Sequence, residues 1–149
     1  MRSVGDILGT KAPATVNRLM SVAEAARLMA TRRIGALPVI DGDRSIGIFT
    51  KRDVLTRIVA AGADPARTLI GDVMSAPLVV ADIHEECDVC LARMRQEHIR
   101  HLVILDGGRV AGVVTMRELM AAQLNDKSEA VSLLNECVFT TPELEKQRS

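Results

Sequence analysis

Two copies of a short polar motif are the residues of this sequence best suited to chemistry. Thr50 ends an apolar run and stands three residues before Asp53. Thr115 ends a similar run, three residues before Glu118. A threonine and an acid at this spacing can cap a helix, because each side chain bonds the other residue's amide. The same helix start favours a phosphate, and an aspartate can accept hydrogen bonds from both hydroxyls of a ribose, so the motif fits a cap or half of a nucleotide site.

The motif occurs twice because the chain contains an internal duplication. A shift of 65 positions lays residues 34–55 over residues 99–120, with identical or conservative pairs at most positions. A shift of 66 positions also aligns Gly5-Asp6 with Gly71-Asp72. We therefore expect a first repeat at 1–62, a linker at 63–69, a second repeat at 70–124 and a C-terminal tail at 125–149. The tail is predicted to contain a short amphipathic helix at 128–138 and a polar terminal segment at 140–149.

Each repeat predicts the same order of secondary structure. In the first repeat, Ser21 and Glu24 have capping-box spacing ahead of an apolar helix face. Two apolar runs then flank the turn Asp41-Gly42, and a helix is predicted from residue 50 to residue 61. Because one hairpin with two helices cannot bury both of its faces, we expect an α+β fold: two β-α-β-β-α repeats packed sheet to sheet with pseudo-twofold symmetry.

Composition limits the classes of partner. Lysine plus arginine equal aspartate plus glutamate at 19 each, so no overall positive charge attracts nucleic acid. No apolar run is long enough to cross a bilayer, and no signal-peptide pattern follows Met1. Three cysteines, an odd number, indicate free thiols in a reducing compartment. We expect a cytoplasmic protein that binds neither nucleic acid nor membrane.

A rival cluster lies at residues 84–90, where His84 precedes Cys87 and Cys90. A Cys-x-x-Cys pair beside a histidine is typical of zinc and redox sites. The third cysteine, Cys137, lies in the tail, and the 65-residue shift aligns the pair with apolar helix positions of the first repeat. We therefore interpret the pair as buried small hydrophobic residues, with a thiol or metal-binding protein as an alternative.

The repeats resemble the CBS domain, named for cystathionine beta-synthase, and two in tandem resemble a CBS pair, or Bateman module. The likeness covers residues 4–124 and includes, besides the two motifs, the matching segments 33–39 and 98–104. The resemblance implies a regulatory sensor without catalysis that binds an adenosine nucleotide (AMP, ADP or ATP, with NAD and S-adenosylmethionine as further options) between the repeats. It also implies a homodimer of two modules and an effector protein whose identity the sequence leaves unknown.

The resemblance places a first site where the Thr50 motif faces the second repeat. Gly47 would let a flat base approach the strand closely. Arg100 and His101 stand where adenylate-sensing members of the family carry a basic pair, and two cations facing a helix start would bind a phosphate. The alternative interpretation is that these two residues form a solvated strand end without a role in binding. The first site is assigned Thr50, Lys51, Arg52, Asp53, Leu78, Val79, Ile99, Arg100 and His101.

A second, weaker site is implied where the Thr115 motif faces the first repeat. Glu118 replaces the aspartate, and Gly35 and Ala36 replace the basic pair. Glutamate is the usual acid of a capping box and is one methylene longer, so we expect this site to be empty or to take a nucleoside. The second site is assigned Thr15, Val16, Ile34, Gly35, Ala36, Thr115, Arg117 and Glu118.

Three functions therefore stay open after the sequence is read. The leading hypothesis is a nucleotide sensor that acts through a partner or its own oligomer. The second is a dimerisation or interaction module whose cleft is vestigial, and the third is the thiol or metal-binding protein. An enzyme is the least favoured, because the sequence shows no nucleophile–base pair or metal triad.

Overall fold

The computed structural model describes residues 2–9, 13–76 and 78–138. The helices are α1 (Val4–Leu8), α2 (Val22–Arg32), α3 (Lys51–Asp53), α4 (Ile70–Val73), α5 (Cys87–Gln96) and α6 (Met116–Val138). A π-helical segment, Val54–Val59, continues α3. The strands are β1 (Val16–Asn17), β2 (Ala36–Asp41), β3 (Arg44–Thr50), β4 (Val80–Asp82), β5 (His101–Asp106) and β6 (Arg109–Thr115). The predicted α+β fold of two β-α-β-β-α repeats is confirmed.

The two sheets repeat each other strand for strand. In each, a short first strand runs parallel to the second, and the second and third form an antiparallel hairpin, in the orders β1-β2-β3 and β4-β5-β6. The hairpin register places Ala36 opposite Thr50 in one sheet and His101 opposite Thr115 in the other. Each motif threonine therefore lies at a strand end, beside the residue that begins the preceding strand.

The short helices are exchanged between the repeats. Val4 of α1 is fully buried in the core of the second repeat, where its amide donates to the Glu85 carbonyl at 2.8 Å. Ile70 of α4 is fully buried in the core of the first repeat, and its amide donates to the Met20 carbonyl at 2.9 Å. Because each core is completed by a helix from the other repeat's part of the chain, the two repeats are interlocked as well as packed through β2, β3 and β6.

Two predicted helices differ from those observed. The residues of the helix expected at 128–138 are helical, but they continue the helix that begins at Met116, because α6 runs without a break from Met116 to Val138. Residues 125–128 contain neither glycine nor proline, so nothing there ends the helix. The helix predicted at 50–61 begins at Lys51 and becomes π-helical at Val54. Gly62 follows it with φ +69°, a backbone conformation that glycine commonly adopts just after a helix ends.

None of the helices in the described part of the chain combines the length and apolar character needed to cross a membrane. The prediction of a polar terminal segment at 140–149 falls outside the described residues.

Candidate functional site

The first motif forms the helix cap that its spacing predicts. Thr50 has the extended backbone of an N-cap residue, and the Asp53 amide donates to its Oγ1 at 3.3 Å. In return, the amide and the hydroxyl of Thr50 both donate to Asp53 Oδ2, at 2.9 and 3.2 Å. One carboxylate oxygen of Asp53 is thus fully used by the cap. Asp53 is only 5% exposed, which is unusual for an acid whose function is capping alone.

The other oxygen of Asp53 is held by residues that the sequence analysis did not select. Ser75 Oγ donates to Asp53 Oδ1 at 3.0 Å, and Arg57 Nε lies 3.7 Å from the same oxygen. Arg57 also donates to the carbonyls of Val73 and Met74, at 3.2 and 3.0 Å. The four-residue spacing on a helix could have indicated Arg57. Nothing local could have indicated Ser75, because its contact spans 22 positions.

The space beside Gly47 is filled by the chain itself rather than left for a flat ligand. A Cβ at this position would lie 2.7 Å from Met74 Sδ and 2.9 Å from the Ser75 carbonyl oxygen. Ser75 pairs with Ile48 through two backbone hydrogen bonds, of 2.8 and 3.1 Å. The glycine is therefore needed for the close approach of residues 74–75 to β3.

His101 lies where residues of the two predicted sites meet. A Cβ on Gly35 would lie 3.3 Å from His101 Nε2 and 3.8 Å from Lys51 Cδ, so these three residues adjoin. Burial lowers the pKa of His101, the positive charges of Lys51 and Arg100 lower it further, and Glu118 partly opposes them. The imidazole is therefore mostly uncharged at neutral pH, and a negative charge placed beside it would favour its protonation.

Within the described residues, the second motif makes only the hydrogen bonds of a helix cap. Thr115 donates to Glu118 Oε1 through its amide and its hydroxyl, at 3.3 and 3.0 Å, and accepts from the Glu118 amide at 3.0 Å. Glu118 is exposed, unlike Asp53. By the shifts of 65 and 66 positions, Ala122 stands where the first repeat has Arg57, and Gly9 where it has Ser75. Neither can bind a carboxylate through its side chain.

An open groove of about 620 Å³ lies at the start of α6. It brings Arg100 and His101, assigned to the first site, together with Thr115 and Arg117, assigned to the second. Its apolar wall is formed by Met116, Met120, Ala121 and Leu124. Thr50 and Asp53 do not line it, but His101 connects it to Lys51 at the start of α3. The groove is thus a basic and apolar recess, and His101 in its lining adjoins residues of the first repeat.

The remaining predicted residues divide into core and surface. Val16 and Ala36 are buried, Ile34 packs against the first core, and Val79 and Ile99 pack against the second. Thr15 and Leu78 are half-buried, immediately before β1 and shortly before β4. Four cations lie exposed around the two motifs: Lys51, Arg52, Arg100 and Arg117.

The cysteine pair lies in the second core. Cys87 and Cys90 are free and buried, on the inner face of α5. Burial raises the pKa of Cys90 to about 11, and burial with the nearby Asp126 and Asp88 raises that of Cys87. Both thiols therefore stay protonated at neutral pH, and no group of three or more metal-ligating side chains occurs within residues 2–9, 13–76 and 78–138. These facts favour the interpretation as buried hydrophobic residues.

Comparison with known proteins identifies the architecture. The family model described as the CBS domain matches residues 4–60 and 70–125. The CBS domain-containing protein YhcV of Bacillus subtilis is 33% identical over 135 residues, which are 91% of this chain and 95% of that protein. The CBS domain pair of protein MJ0100, solved with 5-methylthioadenosine and S-adenosyl-L-methionine, superimposes with a TM-score of 0.74 at 26% identity, covering 85% of this chain and 98% of that one.

A further solved structure shares the fold. The CBS domain protein PAE2072 from Pyrobaculum aerophilum, solved in complex with AMP, has a TM-score of 0.68 at 24% identity. It covers 78% of this chain and 88% of that chain.

Proposed function

Because the chain belongs to the CBS-domain family and carries two such domains in tandem, we propose that it is a regulatory module that binds an adenosine nucleotide, AMP, ADP or ATP, in the cleft between its repeats. The observation that carries this proposal is the groove at the start of α6, which Arg100, His101, Thr115 and Arg117 of the second repeat line, together with the place where His101 adjoins Gly35 and Lys51 of the first repeat. Its volume of about 620 Å³ lies within the range of small-molecule sites.

In this proposal the basic residues bind the phosphate. Arg100 offers a planar set of donors that suits phosphate oxygens, and the uncharged His101 beside it would take up a proton when a phosphate approaches. Lys51 adjoins His101 on the side of the first motif. The phosphate would therefore be held between the two repeats, and its binding would restrain one repeat relative to the other.

Asp53 is proposed to bind the ribose. It is the buried acid of the described chain, and it can accept hydrogen bonds from sugar hydroxyls through Oδ1, which Ser75 and Arg57 now contact. Glu118 lies exposed in a plain cap, so we propose that the second site is weaker. The MJ0100 complex holds two adenosine compounds, which supports the adenosine part of this proposal and keeps S-adenosylmethionine and NAD among the ligands to be tested.

Thermal unfolding with a ligand panel tests the proposal. We expect at least one of AMP, ADP, ATP, NAD and S-adenosylmethionine, at about 100 times its Kd, to add about 2.7 kcal/mol to the free energy of unfolding. For a chain of this size the melting temperature should then rise by roughly 5–10 °C. GMP, which differs only in its base from AMP, is the matched control. No shift with any adenosine compound would contradict the proposal and favour an interaction module, whereas a shift with zinc would favour the thiol or metal-binding alternative.

We further propose that the module forms a homodimer through the helices that follow the two motifs. Leu55 and Val59 on one helix are exposed, and so are their repeat equivalents Met120 and Leu124, which also form part of the apolar wall of the groove, so a second copy packed there would lie beside the bound ligand. A pair of equivalent apolar patches related by pseudo-symmetry is suited to contact with a second copy, and its burial would stabilise the dimer. Occupation of the ligand site would then be transmitted either through the dimer itself or to an effector protein that binds the module.

Substitution at one patch tests the dimer. Val59→Glu is expected to weaken self-association at least tenfold, because a charge would be buried opposite apolar side chains. The matched control is Leu19→Glu, whose site lies outside the patches with a similar exposure, 61% against 67% for Val59. Analytical ultracentrifugation over a concentration series measures the difference. Equal association constants for the two variants, or a monomeric parent protein, would contradict the proposed interface.

A further inference from the structure

Asp53 accepts a hydrogen bond of the kind that a ribose hydroxyl would donate. A serine hydroxyl, Ser75 Oγ, donates to Oδ1 at 3.0 Å, which is what a sugar hydroxyl would do at the same oxygen. The backbone of Ser75 is also paired with Ile48, at 2.8 and 3.1 Å. Residues 74–75 therefore lie along β3 as a short strap, anchored at one point by the buried carboxylate.

Arg57 adds a second connection between the carboxylate and the strap. Its guanidinium contacts Asp53 Oδ1 at 3.7 Å through Nε and donates to the carbonyls of Val73 and Met74 through one terminal nitrogen. Two side chains, those of Ser75 and Arg57, therefore link the Asp53 carboxylate to the end of α4. Leu78, three residues beyond Ser75, begins the stretch that was assigned to the same site.

The second repeat shares the close approach to the strand but, within the described residues, not the contacts to the carboxylate. Leu8 approaches Gly112 as Met74 approaches Gly47. Gly9 stands in the place of Ser75 and Ala122 in the place of Arg57, and Glu118 makes only its cap bonds to Thr115 among the described residues. In the described part of the chain, the anchoring of the strap to an acid is therefore found at the first motif and is not required for closing the helix cap. This asymmetry coincides with the burial of Asp53 and the exposure of Glu118.

We propose that Ser75 is an internal competitor of the ribose: its hydroxyl occupies Asp53 in the free protein and is displaced when a nucleotide binds. The proposal rests on the assignment of Asp53 as the ribose acceptor. Displacement frees Ser75 from the carboxylate and so couples occupation of the site to the end of α4, a helix whose Ile70 is buried in the first core.

Calorimetric titration of Ser75→Ala with the ligand found for the parent protein tests the competition. We expect the Kd to fall by about tenfold, because one hydrogen bond to a charged acceptor no longer has to be broken before the ribose binds. Ser45→Ala is the matched control, since the Ser45 hydroxyl is buried in β3 and has no hydrogen-bond partner within the described residues. An unchanged Kd for Ser75→Ala, or a higher one, would overturn the proposal.

Amide hydrogen exchange tests the strap separately from the ligand. Without ligand, the amides of Ser75 and Ile48 are expected to exchange several-fold faster in Ser75→Ala than in the parent protein, and equal rates would overturn the strap. When an adenosine nucleotide is bound, the amides of Ser75 and Ile48 in the parent protein should exchange faster than in its absence. Slower exchange would show that the strap is not displaced. If no adenosine compound binds, the proposed function fails, while the ligand-free comparison still decides whether Ser75 holds the strap.

Discussion

Replacing Asp53 by alanine is expected to lower the affinity for an adenosine nucleotide by roughly 100-fold, because about 3 kcal/mol of charge-assisted hydrogen bonding to the ribose is lost. The effect should be large because the carboxylate is buried, so water does not screen its contacts. Isothermal titration with the ligand found by thermal unfolding measures the change. The contacts to the phosphate would survive this substitution, so we also expect weak residual binding that is lost at high salt concentration.

The repeat supplies the control for this experiment. Glu118→Ala removes the acid of the second motif from an equivalent cap, and we expect its effect on the tighter binding event to be less than about threefold. Both substitutions also remove a helix cap, at a cost of about 1 kcal/mol, so binding is to be measured well below the melting temperature of each variant. Retained affinity in Asp53→Ala with loss in Glu118→Ala would show that the second motif is the principal site.

Replacing Phe49 by alanine is expected to lower the free energy of unfolding by about 3–5 kcal/mol. Phe49 is fully buried in the first core, and it is the only aromatic residue among residues 2–9, 13–76 and 78–138. Its removal leaves a cavity that the interlocked helix α4 cannot fill without breaking the contacts of Ile70. Urea unfolding followed by circular dichroism measures the loss, which is a large part of the stability of a typical domain.

Val114 is the repeat equivalent of Phe49 and provides the comparison. It is also fully buried, in the second core, but it is smaller, so Val114→Ala should cost clearly less than Phe49→Ala. Similar losses for the two variants would show that the first core collapses around the missing ring. Because Phe49 immediately precedes Thr50, ligand affinity in the Phe49→Ala variant also reports how far the motif depends on core packing.

Much of the fold could be predicted because its determinants are local. The turn at Asp41-Gly42 and the capping spacing of Thr50 with Asp53 each depend on residues close together in the chain, and each corresponds to an observed element. The absence of glycine and proline at 125–128 also indicates that α6 continues past the end of the second repeat.

The exchange of short helices could not be predicted from the repeat. Gly5-Asp6 and Gly71-Asp72 align, but their alignment says nothing about which core each segment enters. That choice is made by contacts between residues far apart in the chain, such as Val4 with the second core. Sequence similarity between the repeats shows which positions are equivalent, but it does not show which distant segment packs against each of them.

The sequence by itself determined the two repeats, their α+β fold and the position of each motif at a helix start, because periodicity and capping act over a few residues. Only the tertiary structure decided how the two motifs differ in burial and in hydrogen-bond partners. It brought Ser75 and Arg57 to the buried Asp53, left Glu118 exposed in a plain cap, and placed Arg100 and His101 in a groove with Thr115. The physical reason is that burial and hydrogen-bond partners depend on the packing of distant segments, which no local pattern records.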